Sequence, residues 1–134
     1  MAGISTRGIY ELAAMHVLSH APRNRAMQIK EIAAMTQVSH SYLEQLLSAL
    51  RKGGLVTSIR GANGGYKLAK PAHEITVLEI IEVLEGPLCK IEGNVGASVI
   101  LEYFWSDIHE KVRELFMLKL SELDQSFQPY HYDI

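Results

Sequence analysis

The stretch SHSYLEQLLSALRKGGLVTSIRGANGGY, residues Ser39 to Tyr66, decides the fold. Leu43, Leu46, Leu47 and Leu50 recur at helical spacing, and Ser39 stands where a helix takes its cap. Lys52, Gly53 and Gly54 end that helix. Two short strands follow, Leu55–Ile59 and Tyr66–Ala69, and the glycine-rich turn between them holds Arg60. Asn63-Gly64 predicts a type I′ hairpin turn, in which both central residues take positive φ. A leucine-anchored helix with a polar outer face, joined to a basic hairpin, has the form of a winged helix-turn-helix.

Upstream, Ser5 or Thr6 can cap a first helix that runs to about His20 and stops at Ala21-Pro22. Arg23-Asn24-Arg25 reads as a polar loop. Gln28–Thr36 repeats the helical pattern, and a turn at Gln37-Val38 leads to Ser39. Two short helices joined this way make a helix-turn-helix.

Downstream, Thr76 caps a fourth helix, Val77–Glu85, which Gly86-Pro87 ends. Leu88 to Ala97 reads as a loop. From Ser98 to about Asp124 the spacing predicts one long helix, with Leu101, Trp105, Ile108, Val112 and Leu115 in heptad alternation. Such a stripe exceeds what a small winged-helix domain can cover, so pairing with a second copy is expected.

The expected fold is mainly α with a small β-hairpin. Residues 1–72 form the winged helix-turn-helix and 73–97 the fourth helix and an effector or sensor loop. Residues 98–125 form a dimerisation helix, and 126–134 an aromatic tail.

The 134 residues suit one compact unit with a real core. Arg7 and Glu11 interrupt any signal-like apolar run, and one cysteine cannot form an internal disulfide, so a cytoplasmic protein is expected. Charge is unevenly spread. Residues 1–70 carry nine Lys/Arg and three Asp/Glu, whereas 71–134 carry four and twelve. The basic half, which holds the helix and hairpin, is the half expected to meet a polyanion.

An α-helix fits the major groove of duplex DNA, where its polar side chains can read base edges. The face opposite the leucines presents Ser41, Tyr42, Glu44, Gln45 and Ser48. Gln45 can bond adenine through two hydrogen bonds, and Glu44 can accept from cytosine's amino group. Glu44 could instead pair with Arg51 or Lys52 as a surface acid. Arg60, flanked by glycines, suits a narrow minor groove. Gly61 to Gly65 fits neither phosphate-cradling glycine motif, because it joins two strands.

Tyr42-Leu-Glu-Gln45, Leu50-Arg51, Gly54-Leu-Val56, Ser58-Ile-Arg-Gly61, Gly64-Gly-Tyr66 and Leu84-Glu-Gly-Pro87 resemble the Rrf-two family of bacterial transcriptional regulators, as do Ser5-Thr-Arg-Gly8 and Tyr10. The resemblance runs from about residue 4 to Trp105. It implies a homodimeric winged-helix protein, usually a repressor, that binds a near-palindromic operator. Candidate DNA contacts are Ser5, Thr6, Arg7, Tyr10, Ser39, Ser41, Tyr42, Glu44, Gln45, Ser48, Arg51, Arg60 and Asn63. Ile9 departs from the pattern, since relatives often carry a base there.

Many members hold an iron–sulfur cluster on three cysteines, some with a histidine. The third cysteine and the histidine match Val99 and Glu102 here, and the loop has only Cys89. No cofactor is therefore expected, and the chain resembles the cluster-free, CymR-like branch that acts in cysteine metabolism. That branch works with cysteine synthase, which also binds partner peptides ending in isoleucine. The chain ends at Ile134, so tail docking in that enzyme is a further expectation. Cys89 reads as a small apolar residue or, beside Lys90, as an oxidisable thiol. His16 and His20 stand four apart on a helix, but no acidic neighbour is visible along the sequence, so no metal site is expected. The alternatives are a redox- or cluster-responsive regulator using Cys89, a protein-binding winged helix that never meets DNA, and an enzyme with Cys89 as nucleophile. The last lacks a placed base.

Overall fold

The computed structural model describes residues 4–22, 25–88 and 98–126. Cys89 and most of its loop, Arg23-Asn24, and the tail from residue 127 to Ile134 lie outside the described residues.

Among the described residues, six α-helices and one antiparallel hairpin follow in the order α1 (Thr6–Ser19), α2 (Ile29–Thr36), α3 (His40–Lys52), β1 (Val56–Ile59), β2 (Gly65–Leu68), α4 (Val77–Glu85), α5 (Val99–Leu115) and α6 (Leu123–Ser126). Local chemistry sets the helix starts. Ser5 Oγ accepts from the Gly8 N–H (3.4 Å), and Ser39 Oγ accepts from the Tyr42 N–H (3.3 Å). At Thr76 a reciprocal box forms: Thr76 Oγ1 accepts from Glu79 N–H (3.1 Å) while Thr76 N–H donates to Glu79 Oε2 (2.9 Å). Gln37, at φ 61°, takes the left-handed step that turns α2 towards α3.

The core lies where α1, α2, α3 and α4 meet. Leu43, Leu46, Leu47 and Leu50 of α3 are fully buried there, with Met15 of α1, Ile32 of α2 and Ile80 of α4. Burial of such side chains contributes roughly 1.5–3 kcal/mol each.

The hairpin turn differs from the expected type I′. Val56 pairs with Leu68 and Ile59 with Gly65, leaving five residues in the loop. The turn spans Gly61–Gly64, closed by Gly64 N–H donating to Gly61 C=O (3.0 Å). Positive φ falls on Gly61 and Gly65 rather than on Asn63 and Gly64. A two-residue turn at Asn63-Gly64 would set Val56 opposite Pro71, which has no N–H. The observed register instead buries Val56 and Leu68 together, so side-chain burial overrides the dipeptide signal. A third piece of backbone braces the wing: Met27 and Tyr66 exchange N–H···O=C bonds of 2.8 Å. Gly65 admits this approach, because a Cβ there would stand 2.3 Å from the Met27 carbonyl oxygen.

The expected helix from Ser98 to Asp124 is shorter. It ends at Leu115, the chain turns at Phe116, and the segment up to Lys119 crosses the start of α4 before a 3-10 turn at Leu120–Glu122. There the Phe116 and Leu118 carbonyls accept from the N–H groups of Leu78 (2.7 Å) and Val77 (2.8 Å), which a helix start leaves without internal partners. Leu120 N–H donates to Ile75 C=O (2.8 Å), and its side chain is buried. The apolar spacing at Phe116, Leu120 and Leu123 thus serves a return to the core. A span of 98–125 as one dimerisation helix does not hold.

Candidate nucleic-acid interface

The outer face of α3 carries exposed His40, Ser41, Glu44, Gln45, Arg51 and Lys52. Glu44 pairs with neither Arg51 nor Lys52. Its Oε1 lies 3.3 Å from His40 Nε2, one turn back on the same helix. Gln45 stands beside that pair, exposed. Ser48 is half-buried, and Tyr42 leans away from the outer face onto α1. Its ring meets Tyr10 edge-on, with centroids 5.7 Å apart and planes at 87°. Two candidate contacts thus form one aromatic brace between α1 and α3, where burial of ring surface outweighs full exposure.

The wing projects Arg60 and Asn63 into solvent, both exposed. Arg60 makes no ion pair among the described residues. Beside the turn runs a groove of about 400 Å³ lined by Arg25, Gln28, Ala62 and Asn63. Arg25 bridges to Glu31 (2.9 Å), which aims its guanidinium along the edge of α2. Arg25 belongs to the polar loop and was not among the candidates. The only sequence signal was its charge, since nothing local shows that the loop abuts the wing.

At the start of α1, Thr6 and Arg7 are exposed, but Ser5 is committed inward. Its hydroxyl donates to the Glu85 carboxylate while its oxygen caps the helix. Ser39 is likewise occupied as a cap, although exposed. Ile9 is exposed and lines a mostly apolar groove with Leu12, Ala13, His16, Leu123 and Asp124.

Beneath this surface lies a buried acid. Glu11 is fully buried and neither carboxylate oxygen has a hydrogen-bond partner in the structure. Burial, reinforced by the nearby Glu85 charge and opposed by Arg7, pushes its pKa up to about 8.

The dimerisation candidates all lie on α5, none of whose residues is buried. Leu101, Trp105 and Leu115 are 47%, 42% and 78% exposed; Ile108 and Val112 are half-buried. Arg113 ties the end of α5 to Glu82 of α4 at 2.8 Å. Towards the chain's end, Asp124 of α6 reaches His16 and His20 of α1, giving that pair the acidic neighbour that the sequence did not show.

Comparison with known proteins places these features. Residues 4–124 match the family model Rrf2, described as an iron-dependent transcriptional regulator. The chain is 41% identical over 112 residues to the HTH-type transcriptional regulator CymR of Bacillus subtilis, covering 84% of this chain and 81% of that protein. It is 40% identical over 97 residues to the HTH-type transcriptional regulator IscR of Cereibacter sphaeroides, covering 71% and 63%. The solved structure of CymR, the global cysteine regulator of B. subtilis, superposes with a TM-score of 0.85 at 38% identity, over 96% of this chain and all of that one. A winged helix-turn-helix with this motif set and this match along most of its length is no enzyme scaffold: the chain belongs to the Rrf2 family of transcriptional regulators.

Proposed function

We propose that this regulator acts as a homodimeric repressor on a near-palindromic operator. In this reading α3 enters the major groove with Ser41, Glu44 and Gln45 towards base edges, and Arg60 enters the adjacent minor groove. The observation that carries it is the pairing of an exposed polar face on α3 with a solvent-projecting arginine on a braced wing. Thr6 and Arg7 at the start of α1, and Arg51 at the end of α3, lie on exposed helix ends suited to phosphate. Tyr10 and Tyr42 support the reading helix as a pair, and Ser5 and Ser39 act as caps rather than as free contacts. The exposed apolar side of α5 serves to join two copies, which matches a two-fold operator.

Each half of this reading has its test. Duplex affinity should fall steeply with salt, as phosphate neutralisation requires. Salt-insensitive binding would instead support a protein-interaction module.

The signal is the finer question. An iron–sulfur cluster requires several soft ligands from the protein. This chain has one cysteine, and Val99 and Glu102 stand exposed where cluster-holding relatives place a cysteine and a histidine. That donor set does not fit a cluster. Similarity to the global cysteine regulator CymR supports a role in sulfur metabolism. Derepression of cysteine-supply genes on deletion of this regulator is the expected outcome, and an unchanged transcript profile for those genes would refute it.

A further inference from the structure

His16 and His20 stand one turn apart near the end of α1, and both converge on one carboxylate from a distant part of the chain. His16 Nε2 lies 2.9 Å from Asp124 Oδ1, and His20 Nε2 lies 2.7 Å from Asp124 Oδ2. The two imidazole rings meet edge to face with centroids 4.9 Å apart. One donor atom from each of the three residues lies within 4.8 Å of the other two.

We propose that His16, His20 and Asp124 form a mononuclear site for a divalent first-row cation of the zinc type. Two imidazole nitrogens and one carboxylate oxygen, with a fourth position left to water, make a donor set that such ions accept. The absence of sulfur from the trio sets it apart from cluster chemistry. It lies at the junction of α1 and α6.

Geometry favours loading. Donors around a tetrahedral zinc ion with bonds near 2.0–2.2 Å stand roughly 3.3 Å apart. The two His–Asp separations, one to each carboxylate oxygen, fall short of this by about half an ångström, and the trio as a whole spans no more than 4.8 Å. The three side chains are 39%, 53% and 52% exposed, so small rotamer changes suffice and a hydrated ion has access. Without metal the trio is a hydrogen-bonded cluster in which two rings share one acid. With metal, each ring gives its lone pair to the ion.

The site also has structural leverage. Asp124 follows Leu120, the buried side chain that anchors the returning segment, and α6 is only four residues long. A cation here would fasten that segment to α1, the helix whose start carries Thr6 and Arg7.

The test uses untagged, full-length protein stripped with chelator and titrated with zinc chloride by calorimetry. One zinc ion per chain and a higher melting temperature with zinc are expected. His20→Gln and Asp124→Asn should each weaken binding by at least about tenfold, the loss that even a supporting residue of a metal site produces. Cys89→Ser should bind as wild type. Cobalt(II) on the wild-type protein provides a second readout that needs no variant: a d–d spectrum without a sulfur-to-cobalt charge-transfer band is expected. A thiolate band, wild-type affinity in His20→Gln, or no stoichiometric zinc binding would each overturn the proposal.

Discussion

Helices α3 and α5 carry the same kind of pattern and meet opposite fates. Both repeat apolar residues at spacings of three and four. In α3 the four leucines are completely buried, whereas no residue of the longer α5 is buried, and its Ile100 and Leu115 are 80% and 78% exposed. Heptad spacing therefore does not say which surface a stripe meets. The leucines of α3 are matched by α1, α2 and α4 within the chain. Those of α5 have no such match among the described residues. An exposed apolar stripe of that extent is the kind of surface that association covers.

The sharpest way to break this contrast is to remove one side of it. Leu47→Ala should cost about 2–5 kcal/mol in chemical denaturation, the penalty for a cavity in a packed core. A smaller loss would mean that the reading helix is held mainly from outside the core. Glu11 probes the same core electrostatically. Its pKa rises from 4.5 to about 8 on folding, so between those pH values the folded protein keeps a proton that the unfolded chain releases. Its contribution to stability is therefore complete below pH 4.5 and is lost as pH rises towards 8. Glu11→Gln should remove a loss of about 5 kcal/mol across that window. Wild-type and variant melting curves that shift in parallel with pH would contradict the burial argument.

On α5 the same logic predicts association rather than folding. Trp105→Ala should weaken dimerisation by about 2 kcal/mol or more, as truncating an interface anchor does. Sedimentation at several concentrations reads this directly, while the helical circular dichroism should hold. Arg60→Ala is the mildest change. It should reduce operator affinity by about 1–3 kcal/mol at fixed salt and leave the fold intact.

Much of the molecule was legible because local chemistry and tertiary packing agree. Ser39 before the leucines and Thr76 three residues ahead of Glu79 mark helix starts that the structure keeps. The basic hairpin was readable for the same reason. The sequence misled where a distant partner decides the outcome. Phe116, Leu120 and Leu123 continue the helical spacing of α5, yet the N–H groups at the start of α4 claim the Phe116 and Leu118 carbonyls. Asn63-Gly64 is a strong turn dipeptide, but the joint burial of Val56 and Leu68 sets a different register. Within the candidate interface, exposure at Gln45 and Arg60 follows from spacing alone. The pairing of Tyr42 with Tyr10 needs the packing of α1 on α3. The meeting of His16 with Asp124 spans 108 positions and leaves no local trace.

The central claim is that the exposed stripe of α5 joins two copies so that two α3–wing units read one operator. The direct measurement is the mass of the complex formed on a near-palindromic duplex, by sedimentation velocity with the protein in excess. Two chains per duplex, falling to one or none for Trp105→Ala, is the predicted result. A stable complex holding a single wild-type chain on the full operator would contradict it.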